Sequence, residues 1–398
     1  MPEIPTVHAC THLRPLGGVQ TVLRRHLRLD ATVGLSSSAL LWFESGPFEP
    51  QASGRPACGL GLRWFHNGRI LRRRLRQASP RSLTSQAVWA YHDLWGLPTA
   101  ADLDGATRRI GVVHSNWEGS DALLSASAPV VDGMLCISAA TVELARQRLP
   151  HLDAERIAWL PVPVDPPNGT VLERERPSDD WVIGYCGRIQ RHQKRVERIP
   201  EVARALRAAR VSHRWELLGS GPDRSLVEAG LAAAGAAARF HGVQTGDAYW
   251  RVLSGWDSIL FTSDFEGLPI AMLEAMLCGV IPVFPDVPCG GRDYAARVDS
   301  NLVYAAAEPD AACRVLTWLR GLEPATREAL RTRARDVASA HTGDAYGRTF
   351  AGFVDRLTHW PRVSRQGPAA RRVHPGEWLP FALLARLDPA HPLRRGYL

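Results

Sequence analysis

The sequence predicts an α/β protein of two doubly wound domains facing each other across a cleft. Three observations carry that expectation. Short apolar strand patterns alternate with longer helical patterns along most of the chain, the signature of parallel α/β units. The alternation comes in two series, separated by a stretch rich in proline and charge. The composition, 45% hydrophobic and 22% charged over 398 residues, is that of a globular chain long enough for two cores.

In the first series ALLWF (39–43), AVWAY (87–91), IGVVH (110–114) and GMLCIS (133–138) read as strands, the last leading into a helix over AATVELARQRL. LPVPVDPPNGTVLERERPSDD (160–180) has the composition of a linker. The second series holds WVIGYCG (181–187), RWELLG (214–219), SILFTS (258–263) and VIPVF (280–284), each separated from the next by a helical segment, and LAAAGAAA (231–238) reads as helix. The expected organisation is a first domain over 1–165, a linker over 166–180, a second domain over 181–357, and a basic, proline-containing tail over 358–398 to which no function is attached. In open parallel sheets, ligands bind at the carboxyl ends of strands, so the loops there are where chemistry is sought.

A formal net charge of +8 suggests anionic partners. Nucleotides and phospholipid head groups both qualify. Nucleic acid is disfavoured, because no recognition motif and no interleaved aromatic and basic strand pattern accompanies the charge. The seven cysteines form no Cys-x-x-Cys pair, and their odd number argues against a disulfide framework or a zinc site. A reduced, cytoplasmic setting is expected, since no signal pattern opens the chain and no apolar run approaches the roughly 18 residues of a membrane span.

The most informative stretch is FEGLPIAMLEAMLCGVIPVF (265–284). Pro269 suits a first helical position and Gly279 a helix stop. Between them Ile270, Met272, Leu273, Met276 and Leu277 leave little polar face, so Glu274 is an acid in an apolar setting and requires a hydrogen-bonding partner. Two readings are open. The partner is internal, a backbone cap or an arginine, or it is a ligand diol such as a ribose. Glu266 stands at the mouth of the same helix, where the N-terminal partial charge favours an anion and the carboxylate can grip sugar hydroxyls. After the 181–187 strand, Arg188 and Lys194 are cations that a loop and helix can bring to one point, as a departing diphosphate requires; Arg191, Arg195 and Arg198 nearby leave a solvated basic loop as the other reading. Gly219 and Gly221 permit close backbone approach to a ligand and equally suit any tight turn.

These residues resemble the retaining, nucleotide-sugar-dependent glycosyltransferases of family 4, also called glycosyl transferases group 1, which have the GT-B fold of two Rossmann-like domains. The resemblance spans roughly 1–357, and its most specific part is the E-x7-E motif, Glu266 to Glu274 in EGLPIAMLE. It implies that Glu266, with Gly267 and Leu268 beside it, holds the donor sugar, that Glu274 holds the nucleotide ribose, and that Arg188 and Lys194 bind the diphosphate. GSGP matches the family's glycine loop with Gly219 and Gly221, and PLGGVQTVLRRHL matches its N-terminal glycine loop, implying that Gly17 and Gly18 lie near phosphates or sugar. In VVHSNW, His114 matches the histidine implied to contact the donor sugar, and YHDLWG and CISAATVEL make His92 and Ser138 secondary candidates. The chain departs from the family at Gln20, where a Glu is usual, at Arg195, where glycine is common, and at LPVPVD, which replaces an Asn-Gly version.

The implied activity is transfer of a sugar from a nucleotide-diphosphate sugar to a hydroxyl of a saccharide, lipid-linked or small-molecule acceptor, with retention, without a metal and without a further cofactor. A nucleotide-sugar epimerase and a noncatalytic nucleotide-sugar-binding protein are the alternatives. RWFHNGRILRRRLRQASPR (63–81) reads either as a solvated helix or as an amphipathic segment in which Trp64, Phe65, Ile70, Leu71 and Leu75 contact an anionic membrane.

Overall fold

The computed structural model describes residues 3–13, 18–48, 57–78, 87–100, 106–114, 120–160, 162–164, 181–363 and 378–387. The chain divides into two compact units, Met1–Pro163 with Gly343–Leu398, and Val164–Thr342.

The first unit is built on a sheet of β1 (Ile4–Cys10), β2 (Leu35–Leu41), β3 (Ser45–Phe48), β4 (Ala57–Leu60), β5 (Val88–His92), β6 (Arg108–Val113), β7 (Gly133–Cys136) and β8 (Ile157–Trp159) in the order β3-β4-β2-β1-β5-β6-β7-β8. Every neighbouring pair is parallel except the edge pair β3/β4. β1 escapes the apolar-run reading because its buried positions include Thr6 and His8, and β2 begins ahead of ALLWF because its first half is Leu35 and three serines. One face of the sheet packs on Trp42, Trp89, Tyr91 and Trp95.

The other face is covered from far along the chain. The helix Gly343–His359 presents Tyr346, Phe350, Phe353, Val354 and Leu357, a stripe at helical spacing, to Leu35, Val88, Ile110 and Leu135. The expected second domain ran to 357; the structure instead returns the chain to the first unit at Gly343, because this stripe completes the first sheet. The described parts of the tail also pack there. Arg108 donates from Nε to Leu357 O (3.0 Å) and from Nη2 to Trp360 O (2.8 Å). Phe381 is fully buried in the helix Phe381–Leu387, which docks through Phe381 N to His66 O at 2.8 Å.

The second unit holds β9 (Trp181–Cys186), β10 (His213–Leu218), β11 (Ala237–Gly242), β12 (Ser258–Leu260), β13 (Ile281–Pro285) and β14 (Val303–Tyr304), all parallel, in the order β11-β10-β9-β12-β13-β14. Counted within the unit this is 3-2-1-4-5-6, the order that binds nucleotides where it reverses, between β9 and β12. LAAAGAAA is not one helix. The helix Arg224–Ala233 stops, Gly235 turns the chain at φ +64°, and Ala237 opens β11. The expected linker 166–180 lies outside the described residues.

Candidate functional site

At the reversal point two loops leave the carboxyl ends of neighbouring strands. The loop after β9 runs through Arg188 to a short helix, Arg191–Lys194; the loop after β12 runs through Asp264 and Glu266 to the helix Ile270–Leu277. They are fastened together. Lys194 Nζ pairs with Glu266 Oε1, Thr262 Oγ1 donates to Lys194 O (2.7 Å), Asp264 N donates to Gln193 O (3.1 Å), and Gln193 Nε2 donates to Phe265 O (3.0 Å). Ser263 Oγ donates to the same Oε1 of Glu266 at 2.6 Å. The sequence placed Lys194 with Arg188; the structure places it on Glu266, because the short helix aims its last residue at the neighbouring loop. Arg188 is exposed, donates to Gln190 Oε1 at 3.1 Å, and among the described residues has no carboxylate in ion-pair range.

Arg195 explains one departure from the family pattern. It ends the short helix in the left-handed conformation, φ +47°, where glycine is otherwise preferred. Its side chain pairs with Asp264, which Arg198 also contacts, Nη2 to Oδ1 at 2.7 Å. Partial burial raises the Asp264 carboxyl, and the hydrogen bonds from Arg195 and Arg198 outweigh it, holding the group below the usual carboxylate range. The left-handed turn is thus tied down by charge.

Gly219 and Gly221 serve the same loop. A Cβ on Gly219, which has φ +120°, would lie 2.0 Å from Gly187 O, and one on Gly221 would lie 2.1 Å from Ile189 O. Backbone bonds from Gly187 N to Leu218 O (3.0 Å) and Ile189 N to Ser220 O (2.9 Å) cross the gap. The close approach that requires glycine is therefore made by the loop carrying Arg188.

Glu274 is 6% exposed on a helix that begins at Ile270, with Pro269 as the residue before its first turn. An internal donor meets it: Tyr249 OH, 2.5 Å from Oε2. That phenol lies 3.7 Å from Cys186 Sγ. Burial, with Cys186 and Glu274 adjacent, pushes the Tyr249 phenol well above its ordinary range, so it remains a donor. This donor is neither the backbone cap nor the arginine that the sequence offered. In GDAYWRVLS the neighbouring Trp250 fills the core position, and no spacing rule marks Tyr249 as reaching a carboxylate. Leu268 is buried, and Gly267 O accepts from Gly291 N at 3.3 Å.

In the first unit, His114 follows β6 and is buried, its Nε2 2.8 Å from Nδ1 of the fully buried His92, with the rings stacked at 10°. His114 N donates to Asp93 Oδ1 at 3.3 Å, and Asp93 and Leu94 both have positive φ (55° and 59°) in the turn after β5. Ser138 caps the helix Ala139–Arg148: its Oγ accepts from Thr141 N at 3.1 Å in a capping box, which accounts for that serine without a ligand. Gly18 opens the helix Gly18–Leu29, and Gly17 lies outside the described residues. Among the described residues, one trio brings metal-ligand types within 4.8 Å, the buried His8, His26 and Asp30.

The 63–81 segment is corrected in part. Leu71 and Leu75 are buried in the core, Arg72 Nη1 donates to Thr99 O (2.8 Å), and Arg74 Nη1 donates to Leu60 O (2.7 Å), so this helix Gly68–Ala78 keeps its leucines for its own unit. Trp64 and Phe65, 62% and 57% exposed, remain outside. Among the described residues no helix is long and apolar enough to cross a membrane.

Three solved structures are similar over most of this chain. HepE of Anabaena in complex with UDP and glucose is 14% identical, with a TM-score of 0.68 over 89% of this chain and 100% of that one. The apo lipopolysaccharide outer core galactosyltransferase WaaB is 18% identical, with a TM-score of 0.67 over 89% and 99%. The pneumococcal O-GlcNAc transferase GtfA in complex with UDP and GlcNAc is 11% identical, with a TM-score of 0.68 over 90% and 100%. At such identities the likeness shows the fold, two Rossmann-like units of GT-B type. Residues 173–337 match the family model described as Glycosyl transferases group 1. The chain has the GT-B fold, and the matched stretch lies within its second unit. No curated protein matches it by sequence. The matched stretch contains Arg188, Lys194, Glu266 and Glu274, whereas His92 and His114 precede it.

Proposed function

We propose that this chain is a glycosyltransferase that transfers a sugar from a nucleoside-diphosphate sugar to a hydroxyl of a saccharide, lipid-linked or small-molecule acceptor, with retention and without a metal. The observation that carries this reading is the fastening of the Arg188–Lys194 loop to the Glu266 loop at the reversal point of a 3-2-1-4-5-6 sheet. Arg188, exposed and without an internal carboxylate partner among the described residues, is assigned to the diphosphate. Its charge, with Lys194, stabilises the negative charge that grows on the leaving oxygens, the work otherwise given to a metal. Glu266, held by Lys194 and Ser263, is assigned to sugar hydroxyls, and Glu274 to the ribose. Tyr249 donates to Glu274 Oε2 and orients it. His114 is assigned to the donor sugar.

UDP-sugars are the first donors to test, since the HepE and GtfA structures hold UDP. The experiment is a thermal-shift screen of the chain and its Glu274→Gln variant against UDP, GDP, ADP, TDP and their sugars, in buffer with EDTA. Stabilisation by one nucleotide family, weakened in the variant, is the expected result. No stabilisation by any nucleotide at millimolar concentration overturns the donor site. Product analysis then separates transfer from epimerisation, which alters the sugar and leaves the nucleotide attached.

A cytoplasmic protein in peripheral contact with an anionic membrane is the second part of the proposal. It is supported by exposed Trp64, Phe65 and Trp378 beside the exposed Arg63 and Arg69, the last stacked 3.6 Å over the Trp378 ring. Flotation with vesicles containing phosphatidylglycerol tests it: the chain rises with them and the Trp64→Ser/Phe65→Ser variant does not. A native chain that stays below the anionic vesicles overturns the contact.

A further inference from the structure

The first unit contains a buried line of titratable side chains that the proposed function does not use beyond its last member. Tyr346 OH lies 2.9 Å from His26 Nε2, and His26 Nδ1 lies 3.1 Å from Asp30 Oδ1. Asp30 Oδ2 lies 3.0 Å from His8 Nε2 and also accepts from Ser37 Oγ. His8 Nδ1 lies 3.0 Å from His92 Nε2, and His92 Nδ1 lies 2.8 Å from His114 Nε2. The line draws on β1, the helix Gly18–Leu29 and the residue just after it, β5, the residue after β6, and the helix Gly343–His359, and every member is buried.

Proton counting gives the line a direction. A hydrogen bond holds one proton, and a neutral imidazole carries one N–H and one acceptor nitrogen. Asp30 receives three donors. Burial raises its carboxyl, but His26 and His8, both bonded to it, hold it below the usual carboxylate range, so it is the acceptor in all three bonds. His8 and His92 are pushed down by burial and stay neutral near neutral pH. His8 therefore carries its proton on Nε2, toward Asp30, and offers Nδ1 to His92. His92 must carry its proton on Nε2 and offer Nδ1 to His114. The reverse order would require a proton on Asp30.

We propose that Asp30, acting through His8 and His92 as positioning residues, fixes the tautomer of His114, with the proton on Nε2. The effect on transfer rests on the assignment of His114 to the donor sugar; the proton order does not. The trio His8, His26 and Asp30 would hold a metal only by surrendering the bonds that set this order.

The test is a long-range proton–nitrogen correlation spectrum of the full chain labelled with ¹⁵N-histidine near neutral pH, alongside transfer assays of the Asp30→Ala and His114→Ala variants. His8, His92 and His114 are expected as Nε2–H tautomers. In Asp30→Ala, His114 becomes a mixture of tautomers and kcat/KM falls about tenfold or more, the equivalent of one lost hydrogen bond. His114 found as the Nδ1–H tautomer or as imidazolium in the native chain overturns the proposal, even if the variant fails to fold. So does an unchanged His114 tautomer in Asp30→Ala, or a stoichiometric metal whose removal shifts these ring signals. Native transfer by His114→Ala, with the proton order intact, instead overturns the assignment of His114 to substrate.

Discussion

Glu274 shows how far a single residue can be read. Its burial follows from five apolar neighbours in one helix, and its need for a partner follows from burial. The identity of the internal donor does not, since Tyr249 is 25 positions away and looks like a core aromatic. Glutamine at 274 keeps an oxygen for the Tyr249 hydroxyl, so Glu274→Gln is expected to fold with an unchanged midpoint and to bind nucleotide at least about tenfold more weakly, the scale of one charge-assisted bond, by calorimetric titration. Arg188 is exposed and makes no ion pair among the described residues. Arg188→Ala should leave stability within about 0.5 kcal/mol while turnover falls about 100-fold, the cost of a lost transition-state donor. Wild-type turnover would remove Arg188 from the diphosphate.

Between elements, the glycines and Arg195 decide how the Arg188 loop is seated. Gly219→Ala puts a methyl against Gly187 O in a backbone conformation that L side chains avoid, a strain of about 1–3 kcal/mol before the loops move apart. Denaturant unfolding should show that loss, and nucleotide affinity should fall with it. β9, β10, β12 and β13 of the second unit were legible because continuous apolar runs mark buried parallel strands. β1 and β11 were not: β1 buries Thr6 and His8 in bonds formed only once the sheet exists, and AARFHG at the sheet edge lacks an apolar run. The E-x7-E motif was legible because its spacing is local. The pairing of Lys194 with Glu266 and the line from Asp30 to His114 join residues far apart in sequence, so only the assembled sheets show them.

For the whole molecule, the buried neutral histidines set a pH dependence. His8 and His92 are depressed in the folded state, so below the ordinary histidine value of about 6.5 the unfolded chain binds protons that the native chain does not. Stability rises with pH where the unfolded state holds more protons, and is therefore lost as pH falls through that value. Urea midpoints taken at about pH 7.5 and about pH 5.5 should drop toward the acid side; a flat profile would mean that the rings take up protons in the fold as readily as in the unfolded chain.

The helix Gly343–His359 belongs to the unit that begins at the N-terminus, while Val164–Thr342 is continuous in sequence. During synthesis the second unit can fold as soon as it has emerged, whereas the first must wait for residues beyond 343 with Val88, Ile110 and Leu135 uncovered. A ribosome stalled shortly before that helix would carry a finished second unit behind an unfinished first. Chaperones would meet this chain at its beginning, late in its translation.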